Sequence, residues 1–199
     1  MLRTCTDPFQ ADGGLRMVSG NLGHGVVKVS AVDETRRKIC APAMVFRTQS
    51  QLTAAFEAGE LNRDFVAVVT HQGPAANGMP ELHKLNPVLG ALQSAGHRVA
   101  LVTDGRMSGA SGKVLSAIHV SPEAQEGGPL SKVEDGDIIH IDAERSLLQV
   151  DADLSGRRAG DVQVSSRSNG RALFDLFRRQ VSSATGGATI FDLAGGGKK

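Results

Sequence analysis

The sequence predicts an α/β domain built on a curled, barrel-like mixed sheet with helices on its flanks. Three observations carry that expectation. First, residues 64–104 read as strand, helix, strand: "DFVAVVT" and "HRVALVTD" are near-continuous apolar runs of strand length, and "NPVLGALQSAG" between them is helical. A parallel βαβ unit with a right-handed crossover follows. Second, "GGLRMVSGNLGHGVVKVSAVDE" before it and "EDGDIIHIDAERSLLQVDA" after it alternate in the manner of antiparallel strands joined by turns. A sheet that mixes both kinds of pairing curls more readily than it forms a doubly wound layer. Third, 24 glycines with no Trp and no Tyr point to many tight turns around a core of Val, Ile, Leu and Ala.

Residues 1–12 read as a lead-in, 13–192 as the domain and 193–199, ending in "GGGKK", as a disordered tail. Two short strands are expected at about 15–18 and 25–32, around a glycine-rich turn from Gly20 to Gly25. "SQLTAAFEAGELN" has helix composition, with Ser50 or Thr53 as N-cap and Gly59 as a stop. The loop "HQGPAANGMPELHKL" leaves the first parallel strand, and Asn86-Pro87 starts the following helix as N-cap and first helical residue. The second parallel strand ends in "TDGRMSGASGK". Both loops therefore leave the C-terminal ends of parallel strands, the side on which open parallel sheets bind ligands. "KVLSAIHVSPEA" reads as strand into turn. A hairpin follows, with Ile138, Ile139 and Ile141 in its first strand and a turn at 142–146. "NGRALFDLFRRQVSSA" is an amphipathic helix with Leu173, Phe174, Phe177 and Val181 on one stripe.

Composition removes several functions. With 22 Lys and Arg against 21 Asp and Glu there is no global field to draw nucleic acid or an anionic membrane. The longest apolar runs are strand-sized, far below the ~20 residues of a membrane-spanning helix, and the first residues lack the apolar core of a signal peptide. A cytoplasmic protein is the expectation. Cys5 and Cys40 have no CxxC spacing and read as plain thiols, and an iron-sulfur cluster needs more thiolates than the chain has.

The hydroxyl-rich loop after the second parallel strand admits three readings. A nucleotide-binding P-loop fails at two defining positions, because Met107 stands where its first glycine belongs and Val114 follows Lys113. A nucleophile elbow fails too, since in Gly-Arg-Met-Ser-Gly the serine lies one residue further from the first glycine than in GxSxG. What remains is Ser108 in a solvated turn, or Ser108 in a loop whose glycines, Gly109 among them, let a substrate approach the backbone. In the other loop Glu81 offers an oxygen ligand for a hard cation such as Mg²⁺. His24, His71, His83 and His119 show no zinc-binding spacing.

Taken together, "GGLRMVSGNLGHGVVKVSAVDE", "HQGPAANGMPELHKL", "VALVTDGRMSGASGKV", "AIHVSPEA" and "GGPLSKVEDGDII", in this order, resemble the C-terminal part of the dihydroxy-acid and phosphogluconate dehydratase family. The likeness runs from about Asp7 to Phe191 and is nearest to the branch acting on phosphogluconate in the Entner-Doudoroff pathway. It implies a hydro-lyase that needs an iron-sulfur cluster, of the 4Fe-4S type, and Mg²⁺. It also implies that the cluster cysteines and most metal ligands belong to a larger N-terminal domain absent from this sequence, and that the whole enzyme is a homodimer. The family's C-terminal domain is a swivelling barrel-like module, in agreement with the mixed sheet read above.

By the same resemblance Ser108 is the base that takes the C2 proton, and Glu81 is the Mg²⁺ ligand supplied by this domain. Asn21, in the family's G-N-L segment, belongs to a loop lining the site. Arg106, Gly109 and Lys113 are expected around the substrate, a phosphorylated sugar acid, with Arg106 and Lys113 either assisting the serine or binding phosphate. Arg167, Arg171 and the helix start near Asn169 are further phosphate candidates. The 199-residue chain alone is expected to be inactive. The alternatives are a stand-alone sugar-acid-binding module without catalysis, and a domain for unphosphorylated aldonic or branched dihydroxy acids.

Overall fold

The two apolar runs become β4 (Phe65–Val69) and β5 (Val99–Thr103), paired in parallel with Phe65 opposite Val99 and Val69 opposite Thr103. Every residue of both strands is buried. The reason is coverage on two faces: Val66, Val68, Ala100 and Val102 point inward, while Phe65, Ala67, Val69, Val99 and Leu101 point outward beneath helices. These coordinates are a computed structural model, which describes residues 3–9, 13–107, 112–160 and 172–191.

Six further strands complete the sheet: β1 (Leu15–Gly20), β2 (Gly23–Lys28), β3 (Lys38–Phe46), β6 (Leu115–Ser121), β7 (Ile138–Asp142) and β8 (Leu147–Val150). They close into a barrel in the order β1-β2-β6-β5-β4-β3-β7-β8. Closure between β8 and β1 is parallel, with Ser19 opposite Leu147 and the Ser19 amide donating to the Ser146 carbonyl at 3.0 Å. The curled mixed sheet expected from sequence is thus a closed one, and it leaves no open edge.

Alternation sets the interior, where Val18, Val27, Ile39, Ala41, Ala43, Ala117, Ile139, Ile141 and Leu148 meet. Small alanines on neighbouring strands let the branched residues fill a narrow eight-stranded lumen. Outside, α1 (Gln49–Glu57) and α3 (Leu85–Ser94) cover β4 and β5 with Leu52, Leu85, Val88, Leu89 and Leu92. Each such fully buried leucine contributes about 1.5–3 kcal/mol through apolar transfer. A short helix α2 (Pro74–Asn77) lies in the loop after β4, and α4 (Ala172–Gln180) contacts it.

Several sequence expectations shift. The sequence offers no clear element in the stretch that forms β3, where the inward Ile39 is followed by the small Ala41 and Ala43 with Pro42 between them. The proline is tolerated because the β3–β4 register begins only at Ala43. β2 starts at Gly23 and stops at Lys28, although Val29 and Val32 beyond it still enter the core. The N-cap of α1 is Thr48, not Ser50 or Thr53: its hydroxyl accepts from the Gln51 amide at 3.1 Å while the Gln51 side chain accepts from the Thr48 amide at 3.3 Å. α3 begins at Leu85 with Lys84 before it, so Asn86 and Pro87 fall inside the first turn, where an amide has no intrahelical partner to lose. The hairpin β7–β8 and its turn match the sequence, with Asp142 Oδ1 accepting from the amides of Glu144 and Arg145 at 2.9 Å each.

Strand directions sort the loops. β3, β4, β5 and β6 are mutually parallel, β1 and β8 run with them, and β2 and β7 run against them. One rim of the barrel, here the upper rim, therefore gathers the segments following β1, β3, β4, β5, β6 and β8.

Candidate active site

Asp104 organises the upper rim. It ends the β5 run fully buried, and its carboxylate accepts from three backbone amides: Gln72 at 2.8 Å on Oδ1, and His71 at 3.1 Å and Ala124 at 3.0 Å on Oδ2. The segments after β4 and β6 are thereby tied to the end of β5. Burial pushes the Asp104 carboxyl above the usual carboxylate range, while the amides of Gln72, Ala124 and His71 pull it back. Glu123 repeats the device. Almost fully buried, it accepts from the amides of Ala75 at 2.9 Å and Ala76 at 3.0 Å, and burial raises its carboxyl as well. These two carboxylates take up amides that the short α2 and its entry would otherwise leave without acceptors.

On this frame the two candidate loops meet. Glu81 and Arg106 form a parallel β-bridge, with the Leu82 amide donating to the Arg106 carbonyl at 3.0 Å. Arg106 Nε donates to the Met79 carbonyl at 3.0 Å, and its Nη1 stands 3.9 Å from Glu81 Oε2. Gly105 permits this approach, since a Cβ there would sit 2.8 Å from Gln72 Cβ and 3.0 Å from Leu82 Cδ1. The Gly105 carbonyl in turn accepts from the His119 amide at 2.9 Å. Met79 and His119, which bond Arg106 and Gly105, have φ of 54° and 56°, and His71, bonded through its amide to Asp104, has φ of 59°. Left-handed backbone at three non-glycine residues is stored strain of the kind that collects at functional sites.

The other sequence-derived candidates separate. Asn21 lies on the upper rim, but its side chain is engaged by Val150 at both ends, donating from Nδ2 to the carbonyl at 2.7 Å and accepting on Oδ1 from the amide at 2.8 Å. It pins the β1–β2 turn to the end of β8. Lys113 precedes β6 at the opposite rim, where its carbonyl accepts from Gln93 Nε2 at 3.2 Å. The expectation that it acts beside Arg106 meets a plain obstacle: β6 is parallel to β5, so Lys113, which precedes β6, stands at the rim opposite the one where Arg106 follows β5. Its flanks, Met107 and Val114, are both buried in the outer layer with α3. Ser108 and Gly109 lie outside the described residues, as do Arg167, Asn169, Arg171 and the 193–199 tail.

Sequence reasoning missed Asp104, Glu123 and Arg47 as rim residues, and left His71 without a role. Arg47, directly after β3, places Nη1 at 2.6 Å from His71 Nδ1, which is also 3.0 Å from Thr70 Oγ1. Burial first, and the Arg47 cation second, lower the His71 pKa to about 4, so the ring is neutral at pH 7. His119 is lowered likewise, by burial and then by Arg106. A signal for Asp104 was present, a carboxylate at the end of an otherwise apolar run. The Arg47–His71 contact joins residues that follow two different strands and leaves no pattern along the chain.

For a metal, Glu81 offers one half-exposed carboxylate beside a cation. Among the described residues no group of three or more His, Cys, Asp and Glu side chains is placed to hold an ion. Among the described residues Glu81 thus offers a single carboxylate to a hard cation such as Mg²⁺. The chain's two cysteines are both exposed and free, on separate segments, and do not fit an iron-sulfur cluster. Among the described residues no helix is long and apolar enough to cross a membrane.

Comparison with known proteins gives one family match, to the dihydroxy-acid/6-phosphogluconate dehydratase C-terminal model over residues 1–188. A phosphogluconate dehydratase of Pseudomonas aeruginosa is 53% identical over 195 residues, covering 96% of this chain and 32% of the relative. One from Escherichia coli K12 is 54% identical over 187 residues, with 92% and 31% covered. A dihydroxy-acid dehydratase of Wolinella succinogenes is 33% identical over 196 residues, with 96% and 34% covered. The chain thus spans about a third of the length of the curated relatives it matches.

Proposed function

Because the chain belongs to the dihydroxy-acid/6-phosphogluconate dehydratase family, as its C-terminal domain, we propose that it forms part of a hydro-lyase converting 6-phosphogluconate to 2-dehydro-3-deoxy-6-phosphogluconate. The family itself is carried by the match over residues 1–188. The substrate reading is supported by identities of 53% and 54% to phosphogluconate dehydratases against 33% to a dihydroxy-acid dehydratase. The observation that supports a shared site is the Glu81–Arg106 bridge, which joins the G-M-P-E loop to the D-G-R-M-S-G loop on one rim.

In this reading Ser108, two residues beyond Arg106, takes the C2 proton. The electrons of the C2–H bond form a C2–C3 double bond as the C3 hydroxyl departs as hydroxide, which takes the proton from Ser108 to leave as water; the resulting enol gives up its O–H proton and gains one at C3 to become the 2-keto acid. A serine is a weak base unless neighbouring cations lower its pKa; Arg106 supplies one positive charge nearby in the sequence. Glu81 offers its carboxylate to Mg²⁺, and Arg106 holds the Glu81 loop through the Met79 carbonyl. Mg²⁺ and the cluster, bound mainly by the larger N-terminal part, supply charge stabilisation at the substrate carboxylate and Lewis acidity at the departing hydroxyl. Asp104 acts by position, holding the two loops in register.

The test is a phosphogluconate dehydratase whose own C-terminal third is replaced by this chain. The hybrid is expected to dehydrate 6-phosphogluconate, and the 199-residue chain alone to show no turnover. Turnover by the chain alone, or a folded, cluster-loaded hybrid with none, overturns the reading.

A further inference from the structure

Arg47 is a half-buried cation with no carboxylate paired to it among the described residues. Among the described residues its guanidinium makes no ion pair; the polar side chain it meets is the His71 ring, 2.6 Å from Nη1 at Nδ1 and 3.4 Å at Nε2. Its backbone is fixed on both sides, with its amide donating to Gln51 Oε1 at 2.7 Å and its carbonyl accepting from Gln72 Nε2 at 2.7 Å. On the far side the guanidinium lies against Gly160, where a Cβ would overlap Nη2. The site is therefore shaped around the arginine. A partly desolvated cation without an anion is costly, and that cost is offset when an anion arrives.

The imidazole fits the same purpose. An Arg N–H can only donate to His71 Nδ1 if that nitrogen carries no proton, so the neutral ring keeps its proton on Nε2. Nε2–H and the guanidinium then stand within reach of a single oxyanion. His71 is held in left-handed backbone, φ 59°, by its amide bond to Asp104, which orients the ring at the upper rim.

We propose that Arg47 and His71 form an oxyanion-binding subsite on the upper rim, taking a carboxylate or phosphate group of the sugar-acid substrate. This deepens the proposed function and rests on it for the identity of the ligand, though not for the existence of the subsite.

In the hybrid dehydratase, Arg47→Ala is expected to raise KM for 6-phosphogluconate about 10- to 100-fold, the effect of losing a charged donor, with kcat changed less than about 3-fold. Arg47→Lys should recover part of the loss. Comparing gluconate with 6-phosphogluconate assigns the group: a KM rise for both substrates marks the carboxylate, and a rise for the phosphorylated one alone marks the phosphate. An unchanged KM in Arg47→Ala overturns the subsite while leaving the dehydratase reading in place. If the hybrid proves inactive, the dehydratase reading fails and the subsite is judged on the 199-residue chain titrated with inorganic phosphate. There, a saturable ¹⁵N shift of the His71 ring that disappears in Arg47→Ala supports it, and no shift, or a shift kept in Arg47→Ala, overturns it.

Discussion

Replacing Asp104 perturbs one buried side chain and three backbone amides at once. In Asp104→Ala the amides of His71, Gln72 and Ala124, which donate at 3.1, 2.8 and 3.0 Å, lose their acceptor. A buried donor without a partner costs about 1–3 kcal/mol, so three cost roughly 3–6 kcal/mol once partial hydration is allowed for. That is a large share of the ~5–15 kcal/mol typical of a folded domain. Asp104→Asn is the milder variant: its one carbonyl oxygen can serve two donors, while its NH2 opposes the third, for a loss of about 2–3 kcal/mol. Urea unfolding followed by far-UV circular dichroism reads this as a midpoint lowered by about 1 M, given a slope of ~2–3 kcal/mol/M for a chain of this size. Hydrogen exchange adds specificity, since the amides of His71, Gln72 and Ala124 should lose protection together. An Asn variant within about 0.5 kcal/mol of wild type, or retained protection at all three amides, would refute the reasoning.

Three other perturbations have definite signs. The His71 pKa is depressed in the folded state to about 4 from 6.5, so its neutral form contributes stability that is fully present above pH 6.5 and lost as pH falls toward 4. The loss is up to about 3 kcal/mol, and His71→Asn, which tolerates φ > 0, should flatten that limb in urea midpoints compared at pH 7 and pH 4.5. Gly73→Ala places a Cβ 2.8 Å from Glu123 Cδ and should cost about 1–3 kcal/mol, whereas Gly90→Ala, in α3 with open space around it, should gain about 0.5–1 kcal/mol. Thermal melts of the pair separate the two outcomes. Thr48→Ala removes the α1 capping box and should cost about 1 kcal/mol, with exchange protection lost first at Gln51.

The parts of the fold written locally were legible. β4 and β5 announce themselves by unbroken apolar runs, because a strand covered on both faces has no polar side to show. The β7–β8 hairpin is read from its alternation and its Asp142 turn. β3 escaped because two of its interior side chains, Ala41 and Ala43, are small and Pro42 stands between them, which makes its pattern faint even though it is a central strand between β4 and β7. The α1 cap was misplaced by two or more residues because Thr48 and Ser50 have equal intrinsic claim, and only the Gln51 reciprocal bond decides between them. In the site, Glu81 and Arg106 were found through separate motifs, and their pairing follows from the parallel β4–β5 register, which no single window contains. Lys113 is close to Arg106 in sequence, yet β6 runs parallel to β5, so the two stand at opposite rims. Arg47 and Asp104 reach His71, Gln72 and Ala124 across 20 or more residues of chain and could be seen only once the barrel had closed.

The proposed chemistry rests on Ser108 as the group that removes the C2 proton. The most direct measurement follows release of deuterium from 2-deuterated 6-phosphogluconate by the hybrid dehydratase, with Ser108 intact and as Ser108→Ala, at equal cluster and Mg²⁺ content. The prediction is release with wild-type Ser108 and a fall of about 10²- to 10⁴-fold in the alanine variant. Deuterium release at the wild-type rate from Ser108→Ala would contradict it.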